Sequence, residues 1–411
     1  MTAASLSTTC CIAGGGPAGV MLGFLLARAG IDTIVLEKHG DFLRDFRGDT
    51  IHPSTLQIMD ELGLLDAFLA RPHQKVPQVR ALIGDDEVAF ADFGWLGTSC
   101  KFVALMPQWD FLDFLAEAGR RYPGFRLMMR ADVVGLIEDG GRVAGLRAET
   151  PDGPVEIRAA LVVGADGRHS TVRERAGLEV VNIGAPIDVL WMRLSKRPDD
   201  AAETGGRVNY GAILVMLDRG DYWQCAYVIA KGGYDAIRAR GLAAFRDQIA
   251  RIAPFLGDRL GELKDWDDVK LLTVAVDRLK QWWRPGLICI GDAAHAMSPV
   301  GGVGVNLAVQ DAVAAANILA APLRAGTVSA GDLEAVQRRR TLAMRVIQKA
   351  QVVVQGRVIG RVLNSDKPAH APLVMRLFNR VPILRWLPAQ LVGVGVRPEH
   401  VRTAPASLAQ T

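Results

Sequence analysis

Three stretches of this sequence carry residues whose types and spacing suit the holding of a phosphate-bearing ligand. The first is Gly14-Gly15-Gly16-Pro17-Ala18-Gly19, which follows the apolar run Cys10–Ala13 and precedes Val20–Ala29. Gly30 ends that run, and Thr33–Leu36 forms a second apolar segment closing on Glu37 and Lys38. The order predicts strand, Gly14-x-Gly16-x-x-Gly19, helix, strand, acid. One glycine of such a unit makes a sharp turn, the next admits backbone to a pyrophosphate, and the third lets helix and strand pack closely. The helix start offers free N–H groups and a partial positive charge to the diphosphate. Glu37, eighteen positions after Gly19, stands where a carboxylate can accept hydrogen bonds from ribose hydroxyls. This predicts dinucleotide binding and leaves FAD and NAD equally open.

The second stretch, Leu161-Val162-Val163-Gly164-Ala165-Asp166-Gly167-Arg168-His169-Ser170-Thr171-Val172-Arg173, reads as a strand entering a polar turn and a helix start. The third, Leu287–Ile290 followed by Gly291-Asp292-Ala293-Ala294-His295, repeats that pattern. It continues through Ser298-Pro299-Val300-Gly301-Gly302-Val303-Gly304-Val305-Asn306 into a helix from Leu307. Glycines at 301, 302 and 304 let main chain lie flat against a ring, where a β-carbon would clash. A helix starting there aims N–H groups at any negative charge that develops on the ring. His295 reads as a structural residue of its turn, and His39, His52 and His73 as solvated or loop histidines.

These motifs need a scaffold, and length and composition allow one. A chain of 411 residues exceeds what one core usually serves, so two domains or a large composite domain is expected. Half the residues are hydrophobic and 22% charged, which excludes a disordered chain. A net charge of +4 is too small to point to nucleic acid. The five cysteines form no CxxC pair, which argues against a metal site and a disulfide framework and for a reducing, cytoplasmic setting. Residues 10–30 are apolar enough to imitate a signal or a span. No Lys or Arg precedes them, however, and glycines interrupt them, so they read as part of the fold.

Segments 76–99 and 181–276 interrupt the nucleotide-binding pieces. Val208–Met216, the turn Asp218–Asp221 and Tyr222–Ile229 predict a β-hairpin, and Val189–Met192 a further short strand. A mainly antiparallel sheet there would cover the cofactor, with Tyr210, Trp223 and Gln224 as candidates to line the pocket. Strand alternation sets Trp223 and Tyr227 on one face and Gln224 on the other. Core packing is the plainer role for each aromatic.

The three motifs, in this order and spacing over residues 8–325, resemble the group A flavin-dependent monooxygenases, the para-hydroxybenzoate hydroxylase-like family. The resemblance implies an α/β fold: a Rossmann-like FAD-binding domain (1–75, 100–180 and 277–330), an inserted mainly antiparallel β-sheet substrate domain (76–99 and 181–276), and C-terminal helices (331–411). Carried over residue by residue, it assigns Gly14, Gly16, Pro17, Ala18, Gly19, Glu37 and Lys38 to the ADP half of FAD. Arg47 and Gln108 fall to the diphosphate and flavin chain, Asp166 to the central Asp-Gly motif and Asp292 to the ribityl chain. Pro299, Gly302, Gly304, Val305 and Asn306 fall beside the isoalloxazine, and His169 and Arg173 near an incoming NADH or NADPH. Ser298-Pro299 departs from the Pro-Pro of some relatives, and the Trp-x-Trp-x-Ile-Pro signature of flavin halogenases is absent.

The function so implied is an FAD-dependent, NAD(P)H-consuming monooxygenase. It would hydroxylate an aromatic or quinol-like small molecule with O2 through a flavin C4a-hydroperoxide, with no assignable acid or base. Two other readings stand beside it: an FAD-dependent reductase or dehydrogenase of a prenyl or polyketide substrate, and a flavin-binding protein without turnover. The chain would be a monomer or homodimer. Residues 331–411 hold thirteen Lys and Arg against four Asp and Glu. Their mixed apolar and basic segments, Leu373–Phe378 and Ile383–Leu387, read either as a peripheral membrane surface or, more plainly, as helices packed on the body with solvated arginines. Arg376, Arg380 and Arg385 recur too often for a transmembrane span.

Overall fold

The structure, a computed structural model, describes residues 4–43, 50–200, 204–363, 365 and 367–406, the side chain of Val374 excepted. Its first unit grows from four apolar runs. Cys10–Ala13, Ile34–Leu36, Leu161–Val163 and Leu287–Cys289 are buried without alternation, the pattern of parallel strands covered on both faces. They belong to an eight-stranded sheet with the order Trp283–Arg284, Leu287–Cys289, Gly153–Gly164, Ala4–Ala13, Thr33–Glu37, Phe125–Met129. The five strands from Leu287 to Phe125 in that order run parallel. Arg142–Thr150 and Asp132–Asp139 extend the sheet antiparallel from the outer half of Gly153–Gly164.

The helix Pro17–Arg28 links the first two strands in sequence, as the glycine motif requires. It packs with Gln108–Arg120 and the long helix Gly304–Ala325. The segment Val300–Ala325 is long and apolar enough to cross a membrane, but 83% of its most apolar window is buried inside the protein. It is a core helix.

The second unit is a seven-stranded sheet ordered Lys270–Leu272, Ile187–Ser195, Tyr222–Ala230, Ala212–Asp218, Gly205–Asn209, Gln78–Ile83, Asp86–Asp92. One face, with Leu190, Leu214, Trp223 and Tyr227, is covered by the helices Tyr234–Ala239 and Leu242–Ile252. The other, with Trp191, Ile213, Ala226 and Val228, packs against Val300 and against Ile359 and Val362. The glycine loop of the first unit therefore meets the inner face of the second.

The expected strand Val208–Met216 is in fact two. Asn209 pairs with Ala212, and Tyr210 and Gly211 between them have φ of +46° and +72°, both left-handed as a two-residue hairpin turn demands. The C-terminal region is only partly helical. Ala330–Val354 runs into a π-helical turn at Gln355–Ile359, and the helices Leu373–Arg380 and Trp386–Gly393 follow. Residues 394–406 then turn and run without helix or strand back to the first helix, where Arg28 Nη1 donates to Thr403 O at 2.6 Å.

Candidate functional site

The three motifs stand side by side. Ala13 is in register with Gly164, and Gly164 with Cys289. Each chain leaves its strand through a bond to a neighbour: Gly14 N donates to Leu36 O at 2.8 Å, Ala165 N to Ala13 O at 2.8 Å, and Ile290 N to Gly164 O at 2.9 Å. Gly14, Asp166 and Asp292 therefore follow three adjacent strand ends on the carboxyl edge of the sheet. Open α/β sheets bind ligands outside that edge.

Packing explains some of the glycines. Gly14 has φ +102°, and a β-carbon on it would lie 2.3 Å from Ala165 O, so the first motif admits no side chain where it passes the second. Gly16 and Gly304 differ. Neither has a left-handed φ, and a β-carbon on either would meet no protein atom within 4 Å. Both open long helices at the site. Nothing in the protein's own backbone or packing asks for glycine there, whereas a group pressed against a helix start does. Glu37 is buried at the end of its strand. Its Oε2 accepts from Gly15 N at 3.1 Å and its Oε1 from His39 N at 3.0 Å, and a carboxylate so held keeps lone pairs for ribose hydroxyls. These residues fit an ADP-containing cofactor.

The other turns are fastened to one another. Arg168 Nη2 lies 3.7 Å from Asp292 Oδ2, both side chains about one-third exposed at 29% and 34%. Asp292 thus faces the open edge. Asp166 does not present its carboxylate there. Its oxygens accept from Ser170 Oγ at 2.5 Å and Val172 N at 3.0 Å, capping the short helix Thr171–Arg175. Burial pushes that carboxyl up, against the pull of those two bonds. Arg173 also turns inward, donating to Arg168 O and reaching Asp277 Oδ1 and Ala293 O, each at 3.5 Å. Expected near a nicotinamide, it instead ties the second turn to the third. His169 is exposed.

The glycine loop is set by residues whose role no motif revealed. Thr50 Oγ1 donates to Gly302 O at 2.9 Å, and a β-carbon on Gly302 would lie 2.2 Å from Thr50 Oγ1. Asn306 Nδ2 donates to Thr50 O at 3.1 Å and Gly302 O at 3.2 Å, while its Oδ1 accepts from His52 N and Thr55 Oγ1. The Asn306 side chain is therefore committed to the scaffold, leaving only backbone for a ring. Gln351 Nε2 bridges Ser298 O and Val300 O at 2.9 and 2.8 Å.

Behind the third turn lies a buried network. Asp311 Oδ2 accepts from Gly291 N at 3.1 Å and contacts His295 Nε2 at 2.6 Å, while Arg340 Nε donates to Asp311 Oδ1 at 2.8 Å. Arg340 also pairs with Glu399. Burial pushes the Asp311 carboxyl up, but the His295 ring and the Arg340 guanidinium prevail and hold it below its ordinary value.

His52 is buried rather than solvated, its Nδ1 donating to Val392 O at 2.7 Å. Burial lowers its pKa from 6.5 to about 4, against the opposing bond to Val392. The unfolded chain then binds more protons between those values, so stability falls as pH drops from about 6.5 toward 4. His52→Asn should flatten that window by on the order of 2–3 kcal/mol, read as the pH dependence of urea midpoints against wild type. An unchanged slope would refute the assignment.

Of the remaining candidates, Arg47 lies outside the described residues. Gln108 is half-buried at the first position of its helix and makes no side-chain hydrogen bond among the described residues. Pro17 and Ala18 form the helix start, and Pro299 and Val305 flank the glycine loop. Lys38 is exposed beside Glu37. One pocket candidate is corrected. Trp223 points into the helix-covered face, Nε1 donating to Asp200 Oδ2 at 2.9 Å. Tyr210 sits in its hairpin turn with the Arg251 guanidinium 3.9 Å from its ring. Gln224 lies on the inner face by alternation with Trp223, its Oε1 accepting from Arg219 Nε at 3.1 Å. Trp191, on the expected short strand Val189–Met192, shares the inner apolar cluster with Val300.

Residues 7–350 match the family model described as FAD binding domain. The chain is similar to 6-methylpretetramide 4-monooxygenase of Streptomyces rimosus, 33% identical over 90% of this chain and 89% of that protein. It is also similar to a rifampicin monooxygenase of Rhodococcus hoagii, 27% identical over 94% of this chain and 78% of that one. Among solved structures, the anhydrotetracycline hydroxylase OxyS of Streptomyces rimosus superposes with TM-score 0.72 at 23% identity, over 94% of this chain and 76% of that one. PqsL, a probable FAD-dependent monooxygenase of Pseudomonas aeruginosa, does so with TM-score 0.73 at 21%, over 87% and 97%. At these identities the superpositions speak for the fold.

Proposed function

The chain belongs to the FAD binding domain family and is a group A flavin-dependent monooxygenase, and from that premise we propose that it hydroxylates a polycyclic aromatic small molecule of polyketide type, with NADH or NADPH as hydride donor and O2 as oxygen source. The observation that carries the reading is the meeting of the glycine loop with the apolar inner face of the second sheet, where Val300 packs with Trp191, Ile213 and Ala226. A flat apolar substrate at the edge of this contact would lie against the ring that the loop backs. The polyketide class rests on the printed activity of the relative at 33% identity.

FAD, when bound, supplies the redox chemistry and the activation of oxygen. This chain's residues bind, orient and exclude water. The first-turn amides of Pro17–Arg28 would hold the diphosphate, Glu37 would accept from the adenosine ribose, and Asp292 from the ribityl chain. The start of Gly304–Ala325 would offer its free N–H groups and partial positive charge to the flavin ring and so stabilise negative charge there. The inner sheet face keeps the reacting atoms dry.

The test is to screen anthracycline- and tetracycline-type phenols for faster NAD(P)H oxidation, with O2 uptake and isotope incorporation from labelled O2. One O2 consumed and one labelled oxygen incorporated per product supports the proposal. NAD(P)H oxidation that forms product without labelled oxygen would make the protein a reductase or dehydrogenase. Bound FAD with no stimulation by any substrate would make it a flavin-binding protein.

A further inference from the structure

Soluble helices turn their apolar stripe inward; Leu373–Arg380 packs Met375 on the cluster of Ile83, Val88 and Ala371 but leaves two leucines outside. Polar bonds also fasten it: Asn379 Oδ1 accepts from Ala89 N at 3.3 Å, Asn379 Nδ2 donates to Glu87 O at 2.7 Å, and Arg376 Nη2 lies 2.9 Å from Asp86 Oδ2. Leu373 and Leu377, four residues apart and so on one face, are 83% and 44% exposed. The outward apolar series continues past Pro382 with Ile383 at 56%, Trp386 at 40% and Leu387 at 62%. A concentration of large apolar side chains turned to water within fifteen residues marks an interaction surface.

Charge narrows the occupant. Residues 367–398 contain five Lys or Arg and no Asp or Glu. Arg380 makes no ion pair among the described residues. A second copy docking through the same face would bring its own Arg380 and Arg385, with no acid in the segment to receive either. Exposed Leu, Ile and Trp among arginines instead match the interfacial zone of an anionic bilayer, where apolar side chains enter the acyl boundary and guanidinium groups meet phosphates. We propose that the face formed by Leu373, Leu377, Ile383, Trp386 and Leu387, rimmed by Arg380 and Arg385, seats the enzyme on the surface of an anionic membrane.

The position links this face to the catalytic site. The helix Trp386–Gly393 ends where Val392 O accepts from His52 and the Val392 side chain lies about 4.0 Å from where a Gly301 β-carbon would be. A membrane-seated enzyme thus holds its glycine loop one short helix from the lipid, suited to collecting an apolar substrate from it. This last step rests on the function proposed above, whereas the docking does not.

The test is sedimentation of the FAD-loaded enzyme with vesicles of phosphatidylcholine alone or with about one-third phosphatidylglycerol. Binding should be at least about tenfold tighter to the anionic vesicles and weaken with salt. Leu373→Ser with Leu377→Ser, and separately Arg380→Glu, should each cut it about tenfold or more. FAD content and thermal midpoint should hold, because these side chains are exposed. Absence of binding to the anionic vesicles overturns the proposal, as does binding that both variants retain. A wild-type dimer that the leucine pair converts to monomer, without vesicle binding, would assign the face to a second copy. Docking and hydroxylation fail separately, since sedimentation requires no turnover.

Discussion

Gly16→Val and Gly304→Val should each lower FAD affinity by about 100-fold or more, roughly 2.7 kcal/mol, while leaving the thermal midpoint of the apoprotein within a few degrees of wild type. Ordinary glycine substitutions in a core cost affinity by unfolding the site. These two are different, because a β-carbon there contacts no protein atom and neither backbone needs left-handed freedom. Whatever penalty appears must come from the group that approaches the two helix starts. Gly14→Val gives the contrast: its side chain would run into Ala165 O, so apoprotein stability and affinity should fall together. Flavin fluorescence titration of each apoprotein, paired with its melting curve, separates the cases. Wild-type affinity in Gly16→Val would remove the diphosphate from that helix start, and in Gly304→Val would remove the flavin ring from the other.

Asp311→Ala should cost about 3–5 kcal/mol of unfolding free energy, the usual penalty for stranding one partner of a buried ion pair. The loss falls on Arg340, whose side chain is 1% exposed and keeps its pairing with Glu399, and on Gly291 N and His295, which lose their acceptor. Because Gly291 begins the turn that presents Asp292, FAD should also dissociate faster. The sign with pH follows from the carboxyl being held below its ordinary value. Its stabilisation is complete above the unfolded carboxylate pKa and is lost as pH falls through the lower, folded one. The variant's stability should therefore change less with acid than that of wild type. Denaturant unfolding at pH 7 and at about pH 3 or below reads both effects, and a loss under about 1 kcal/mol at pH 7 would show the network to be unimportant.

The sequence made the cofactor-binding frame readable because each of its signals is local. A glycine triplet between two apolar runs, an acid ending the second strand, and two further strand-to-turn transitions sit within short windows, and the parallel sheet follows from runs with no polar alternation. The fold class stands as expected on those grounds. Asp311 and Arg340 were out of reach. A single acid in the apolar run after Leu307 and one arginine among three, twenty-nine positions apart, become a pair only when two helices pack. Thr50 and Gln351 reach the glycine loop from separate segments in the same way. Alternation placed Trp223 and Gln224 on opposite faces, as found, but a period of two cannot say which face looks at the loop. That depends on which side receives the helix Leu242–Ile252. Tyr210 was read as mid-strand because Asn209-Tyr210-Gly211 carries its turn signal in the glycine alone. For Leu373–Phe378 the sequence leaves an outward, membrane-facing reading beside a packed one, for a related reason. Amphipathicity gives the angle between two stripes and not the one that meets the body.

The most direct measurement is the binding stoichiometry of FAD on the purified apoprotein, followed by the change in visible absorbance on titration. Three strand ends that converge on one carboxyl edge should take up a single FAD per chain, turn the protein yellow and saturate there. A folded apoprotein that stays colourless in excess FAD would contradict the convergence of Gly16, Asp292 and Gly304 on one cofactor.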